Sequence, residues 1–490
     1  MNDNKPNIIY ILADDMGYGD VSCLNKNSKI RTPNFDSIAD NGMIFTDAHS
    51  SSAVCTPSRY SILTGRYNWR SALKSGVLGG YSPSLIEKGR TTVASMLKTC
   101  NYNTACIGKW HLGMDWKFDK EVTIEPGHRT TLGVDYSAPI KNGPIEFGFD
   151  YYYGISGSLD MPPYVYIENN QVTELPTNMT ANTGKKFWRN GPTAPNFKHE
   201  EVLPTLTKKV LDQIDQWEDE PFFIYYPLPA PHTPILPTKK FQGQTNTNEY
   251  GDFVLMCDDV VGQIVNKLKE KGLYENTILI YTSDNGCSPE ANFEELKNKG
   301  HNPNHIFRGH KADIYEGGHR IPLLIQWPKK IKPKSVINEP VCLTDFAATV
   351  ADIVDYNICD NECEDSVSNI DLWLGDEYSS PLREATVHHS INGSFSIRKE
   401  NWKLEMCPGS GGWSFPKPEE DTQGLPPIQL YDLSKDIGEQ VNVQELNPEV
   451  VEELKNLLIK YIKDGRSTKG KPQKNTDPEW IQNFQWINEV

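Results

Sequence analysis

The chain has 490 residues, a formal net charge of −16, 37% hydrophobic and 10% aromatic residues. That composition is globular, not disordered, and the length exceeds what one core supports, so a large and a smaller domain are expected. The negative charge excludes general nucleic-acid binding, and no apolar run is long enough to span a membrane.

The N-terminus, Met1-Asn2-Asp3-Asn4-Lys5-Pro6, leads directly into a strand-like run without a secretory pattern. Either the chain acts where it is made, or a leader has been removed. Strands are predicted at residues 8–13, 104–107, 222–226, 277–282 and 322–326, and helices at 33–40, 91–98, 203–217 and 252–271. This alternation predicts an α/β fold built on a large, mostly parallel sheet flanked by helices. Near residues 376–382 the character changes. Hairpin-like runs at 394–398 and 402–406 follow, then a Gly/Ser/Pro-rich loop at 408–418, a strand at 429–433, a helix at 448–463 and a polar tail. We expect a catalytic domain over 1–380 and a C-terminal subdomain over 381–490, the latter an antiparallel sheet with one helix.

Four predicted strands end in ionisable residues, and in an open parallel sheet their carboxyl ends share one edge, where ligands bind. The four ends carry Asp14-Asp15, Lys109-Trp110-His111, Pro231-His232 and Asp284-Asn285. Any one of these alone is an ordinary turn or cap signal. Asp14, Asp15, Asp284 and Asn285 together offer only oxygen donors and three negative charges. That donor set suits calcium or magnesium, not zinc, and calcium's looser coordination fits ligands gathered from separate strands.

Cys55-Thr56-Pro57-Ser58-Arg59 reads as a helix start, with Pro57 in the first turn and Thr or Ser as caps. Its free backbone N–H groups favour an anion, with Cys55 at the mouth beside Arg59. The residues alone leave Cys55 as a buried small hydrophobe, a thiolate nucleophile, or something further. The ten cysteines contain no CxxC pair. Cys359 and Cys363 could pair in an oxidising compartment or remain free thiols in a loop, and the second reading is preferred.

The Cys-x-Pro-Ser-Arg segment followed by Leu63-Thr64-Gly65-Arg66 resembles the signature of the formylglycine-dependent sulfatases. So do, in order, residues 14–20 (Asp-Asp-Met-Gly-Tyr-Gly-Asp), Thr32-Pro33-Asn34, Gly108-Lys109-Trp110-His111-Leu112-Gly113, Pro231-His232, Asp284-Asn285-Gly286, and Lys311 with Tyr315-Glu316-Gly317-Gly318. Leu430-Tyr431-Asp432-Leu433 and Glu439-Gln440-Val441-Asn442 extend the likeness toward the C-terminus. It covers nearly the whole chain and is nearest to arylsulfatase A-like carbohydrate sulfatases of bacteria.

The resemblance implies an alkaline phosphatase-like fold, one calcium ion on Asp14, Asp15, Asp284, Asn285 and residue 55, and a nucleophile made by oxidising Cys55 to formylglycine. A sulfatase-maturating enzyme is then a required partner. Hydrated formylglycine would attack sulfur with Asp284 nearby to take a proton, while His232, assisted by Lys311, protonates the leaving oxygen. His111 would draw a proton from the second hydroxyl as sulfate leaves, and Arg59 and Lys109 would orient the diol and offset charge.

For the substrate, a sulfated carbohydrate, the candidates are Ser158 and Asp160 in the segment 154–165, with Arg308, His310, His388, His389 and Trp413. Exo action on sulfated galactose or N-acetylgalactosamine is expected, and the modest positive charge favours a pocket over a polyanion groove. The resemblance points to a periplasmic or secreted protein, with the cytoplasm left open by the leaderless start. Two alternatives stay open here: a phosphonate or phosphate ester hydrolase of the same superfamily, and a non-catalytic glycan-binding relative.

Overall fold

The computed structural model describes residues 5–119, 133–477, 479 and 480. Residues 1–4 and the end of the polar tail lie outside the described residues.

A ten-stranded sheet forms the centre. Across it run Ser335–Ile337, Met43–Phe45, Leu323–Gln326, Thr277–Ser283, Asn7–Ala13, Phe222–Pro227, Asn103–Lys109, Tyr151–Ile155, Ile167–Glu168 and Gln171–Val172. The five strands from Thr277–Ser283 to Tyr151–Ile155 are mutually parallel. Leu323–Gln326 and the Ile167–Val172 hairpin run antiparallel to their neighbours. The sheet is therefore mixed and mostly parallel, as expected.

The central strand Asn-Ile-Ile-Tyr-Ile-Leu-Ala is buried at every position. A run without polar alternation requires cover on both faces, and helices provide it. Tyr10 packs its ring on Phe346 of helix Phe346–Ile353, 4.5 Å between centroids. Tyr281, in register with Ile11 and so on the opposite face, stacks at 4.1 Å on Phe35 of helix Pro33–Asn41. Tyr226, also in register with Ile11, meets Thr207 of helix Val202–Gln216 through its hydroxyl.

Helix boundaries follow their caps. The helix expected from residue 252 starts at Glu249, because the Asn248 side chain accepts from the N–H groups of Tyr250 and Gly251. The one expected from residue 91 starts at Val93, capped by Thr92 on Ser95.

The C-terminal antiparallel sheet has the order Thr386–His389, Phe395–Lys399, Trp402–Glu405, Gln429–Asp432. Helix Pro448–Asp464 lays Leu454, Leu458, Ile459 and Ile462 on its Val387, Ile397, Leu404 and Leu430. Strand Thr386–His389 was not expected, since a four-residue Thr-Val-His-His run carries little strand signal. This smaller core includes Tyr67 and Trp69 from just beyond the Cys55 helix. The second sheet thus buttresses the segment that carries Cys55. Cys359 is exposed and Cys363 buried, and both are free thiols. No helix among the described residues is long and apolar enough to cross a membrane.

Candidate active site

The carboxyl ends of the parallel strands deliver the expected side chains to one place. Each strand end is continued by a neighbour: Asp14 N–H donates to Ala230 C=O at 3.0 Å and Asp284 N–H to Ala13 C=O at 3.1 Å. Asp15 turns out of its strand through a positive φ of 67°, so adjacent carboxylates can face one site.

Cys55 is the first residue of helix Cys55–Thr64. The expected Thr or Ser cap on the N-cap position is absent. Ser58 instead donates its hydroxyl to the carbonyls of Ser52 and Val54, at 3.0 and 3.1 Å. The loop before the helix is clamped at Ala53, whose N–H donates to His389 C=O while its C=O accepts from Ala312 N–H. Every residue of this helix is buried. A helix so placed must satisfy its charges internally, and Arg59 does so on the site itself.

Arg59 directs Nε and Nη2 onto Asp284 Oδ2, at 3.1 and 2.8 Å, and Nη1 onto the Lys109 carbonyl at 3.0 Å. Asp14 meets Lys109 Nζ at 2.6 Å and lies 3.5 Å from Cys55 Sγ. Asp15 accepts from Lys311 Nζ at 2.7 Å and from Asn285 Nδ2 at 2.8 Å, with His232 Nε2 at 3.6 Å. Ser158 Oγ accepts from Lys109 Nζ at 3.2 Å and lies 3.3 Å from His232 Nδ1. His111 approaches from a residue with φ 54°, and its Nε2 lies 2.8 Å from the Leu78 carbonyl. The Leu78 N–H in turn donates to Thr56 Oγ1 at 3.2 Å, which ties His111 to the Cys55 helix.

The electrostatics separate the carboxylates. Burial opposes ionisation of Asp14, yet Lys109, His232, Arg59 and Lys311 together hold its carboxyl well below the usual range. Burial, with the Asp14 charge beside it, pushes Asp284 up to about 6. Lys311 stays well above an ordinary lysine despite burial, because Asp15 and Asp14 favour its charge. Burial and then Lys109 and Arg59 push His111 well below an ordinary imidazole. Burial pushes the Cys55 thiol up, with Lys109 and Lys311 only partly opposing it. Burial thus disfavours the thiolate of an unmodified Cys55, which argues against the thiolate-nucleophile alternative.

Asp14, Asp15, Cys55 and His232 present ligand atoms close enough to hold a metal ion together. Asn285 Oδ1 is buried there without a hydrogen-bond partner. Within that group the Asp14 and Asp15 carboxylates, with the orphaned Asn285 amide oxygen, are hard oxygen donors that fit a divalent cation.

The other expected substrate contacts divide. Ser158 lies within the cluster, and Asp160 sits two residues on, joined to Arg189. Trp413 is 42% exposed on the loop that Asp313 holds through the Trp413 and Ser414 N–H groups. His310 Nδ1 lies 2.9 Å from the Lys311 carbonyl, beside that same anchor. The remaining three make their contacts away from the Asp14 cluster. Arg308 lies over the Tyr315 ring at 3.9 Å and donates to the Glu439 carbonyl, so it joins the C-terminal segment to the body. His388 is buried on His319, and His389, on the other face of its strand, is buried against Asn68 and Phe395.

Sequence reasoning missed the pairing of Arg189 with Asp160. No spacing links residue 189 to the sheet edge, because it arrives on a separate hairpin, Asn178–Asn182 with Trp188–Thr193. It also missed the His49, His319 and His388 group. There the rings of His319 and His388 stack at 3.9 Å and 7°. One ion cannot lie in the planes of two parallel stacked rings, so these histidines pack and do not form a metal site.

Residues 6–356 match the family model described as Sulfatase, and residues 307–464 match the one described as N-sulphoglucosamine sulphohydrolase, C-terminal. The chain belongs to the sulfatase family. It is 34% identical to the N-acetylgalactosamine-6-O-sulfatase of Bacteroides thetaiotaomicron, over 93% of each chain. To human arylsulfatase A it is 31% identical, over 96% of this chain and 90% of the relative. A Bacteroides thetaiotaomicron protein, solved in work on the metabolism of multiple glycosaminoglycans, superposes with a TM-score of 0.79 at 32% identity, covering 93% of this chain and 98% of that one. Like other sulfatases, the protein is a sulfuric ester hydrolase, with the alkaline phosphatase-like fold expected from sequence.

Proposed function

We propose that this sulfatase removes sulfate from a carbohydrate ester through residue 55 after its oxidation to formylglycine. The observation that carries the reading is the place of Cys55: 3.5 Å from Asp14, in a buried cluster holding Arg59, Lys109, Lys311 and His232. A cysteine that burial keeps protonated, in a site built for an anion and a cation, is of use once converted to a different nucleophile.

Asp14, Asp15, Asp284, Asn285 and residue 55 would hold calcium, which when bound would draw charge from the sulfate oxygens. Hydrated formylglycine supplies the attacking oxygen. Asp284, its Oδ2 held in place by Arg59, is suited to accept its proton. His232 delivers a proton to the leaving sugar oxygen, with Lys311 beside the same Asp15 carboxylate. His111, kept neutral, accepts the proton released as sulfate departs. Arg59 and Lys109 orient residue 55 and offset the added negative charge. These roles are the family's, carried to residues whose contacts support them.

For the substrate we propose 6-sulfated N-acetylgalactosamine or galactose at a chain end, in view of the relative named N-acetylgalactosamine-6-O-sulfatase. The calcium identity, a maturating enzyme in the host, export to the periplasm or beyond, and the division into residues 1–380 and 381–490 belong to the same proposal. The test is peptide mass analysis of residue 55 beside sulfate release from singly sulfated sugars. Formylglycine at 55 with release is the expected result. Full activity with unmodified Cys55 would overturn it.

A further inference from the structure

The segment 156–161 leaves strand Tyr151–Ile155 and passes the leaving-group side of the site, where Ser158 Oγ meets both Lys109 and His232. Two residues on, Asp160 is only 6% exposed. Its backbone is fixed, since its carbonyl accepts from Arg189 N–H at 3.1 Å and from the Tyr164 hydroxyl at 3.0 Å. The Met161 N–H closes a turn on the Ser158 carbonyl at 2.9 Å. The Asp160 carboxylate is half used. Oδ2 pairs with Arg189 Nη1, while Oδ1 is buried without a donor.

A buried carboxylate oxygen without a donor is costly and is normally satisfied in the functional complex. The pairing with Arg189 explains why the carboxylate is there, but leaves Oδ1 without a role. Arg189 is 27% exposed; among the described residues only Nη1 of its guanidinium donates a hydrogen bond, and the group lies over the Phe187 ring at 5.5 Å. An acceptor oxygen and spare guanidinium donors beside it match a sugar hydroxyl, which both donates and accepts. Anchoring of the 178–193 hairpin alone would require only Oδ2.

We propose that the Asp160–Arg189 pair reads a ring hydroxyl of the sulfated sugar and sets the enzyme's preference between epimers. Asp160 Oδ1 accepts from that hydroxyl, and Arg189 donates to its oxygen. This rests on the carbohydrate-sulfate reading above. A site built to hydrogen-bond a hydroxyl rejects a sugar that lacks it there, because its buried polar atoms are left unpaired.

The test compares matured enzyme, Asp160→Asn and Arg189→Lys on the 6-sulfates of N-acetylgalactosamine and N-acetylglucosamine, and on those of galactose and glucose. The wild type should favour one epimer of each pair. Both substitutions should lower kcat/KM for that epimer by roughly 10- to 200-fold, mainly through KM, and bring the ratio toward one. Inhibition by inorganic sulfate, which needs only the cation cluster, should move less than about twofold. Equal losses on both epimers, an unchanged ratio, or a wild type without preference would overturn the proposal. If one variant folds poorly, the ratio in the other decides. A wild type that releases sulfate from no sugar sinks the parent reading instead, so the two failures are distinct.

Discussion

Arg59 Nη2 donates to Asp284 Oδ2 at 2.8 Å, and neither side chain has any exposed surface. The guanidinium therefore fixes a carboxylate that must also serve a cation and a proton. Replacing Arg59 with Met leaves Asp284 and Asp14 without that neighbour. Breaking a buried pair in this way costs roughly 3–5 kcal/mol. We expect that loss in urea denaturation with a chelator present, and a smaller one with calcium, which can stand in for the missing charge. Equal losses in both conditions would refute the coupling.

Metal removal should act on stability as well as rate. Without a cation the acidic cluster rests on Lys109, Lys311 and Arg59, with His232 and Asn285 beside Asp15. Chelation should abolish sulfate release and lower the Tm. A ligand at a hundred times its Kd stabilises by about 2.7 kcal/mol, so calcium should restore about 2–3 degrees in a chain of this length. Magnesium, which demands tighter octahedral geometry, should restore less. A Tm indifferent to calcium would count against the donor set.

Much of this site was legible in the sequence, and physical reasons explain which parts. Asp14, Lys109, His232 and Asp284 each lie at or just beyond the end of a run that reads as a buried strand, so their convergence followed from a parallel topology. Arg189 reaches Asp160 from a hairpin whose first strand is polar and mostly exposed and whose second, Trp-Arg-Asn-Gly-Pro-Thr, carries no hydrophobic alternation. His388 was read as a pocket residue because histidine type says nothing of direction. In the fold, alternation along a four-residue strand sends it to His319 and sends its neighbour to Phe395. The contacts of Arg308 were equally hidden, since the C-terminal groups that hold it lie more than a hundred residues away.

Acid should destabilise the fold through its buried imidazoles. Burial holds His49 below its ordinary value and His319 and His388 well below theirs. It also brings His199 down to about 4 and His389 to about 3. The unfolded chain then binds more protons than the native one below pH 6.5. Stability is full above that value and is lost as pH falls toward the folded pKa values. Each such histidine adds a slope of up to about 1.4 kcal/mol per pH unit. The Tm should fall steeply between pH 6.5 and 5, and His199→Phe should flatten the slope. A flat Tm over that window would contradict neutral burial.

The buried Lys403 offers a test of how the second sheet supports the site. Its Nζ donates to Glu439 Oε1 at 2.6 Å and to the Ile314 carbonyl at 3.0 Å, with Glu316 and Glu405 oxygens at 3.2 and 3.3 Å. Burial opposes all these charges. Lys403, with Arg320 and the histidines, holds Glu316 well below the usual range, while Glu405 and Glu439 are raised. One lysine thus organises three carboxyls and the carbonyl three residues after Lys311. Lys403→Met should cost roughly 3–5 kcal/mol. Adding Glu439→Gln removes the carboxylate left most exposed to that loss, so the double variant should regain at least about 1 kcal/mol over additivity. Because the 311–314 segment loses its anchor, kcat should also fall in Lys403→Met, though the lysine touches none of the Asp14 cluster. Additive stabilities, or destabilisation without any loss of kcat, would show that the two sheets are coupled only through packing.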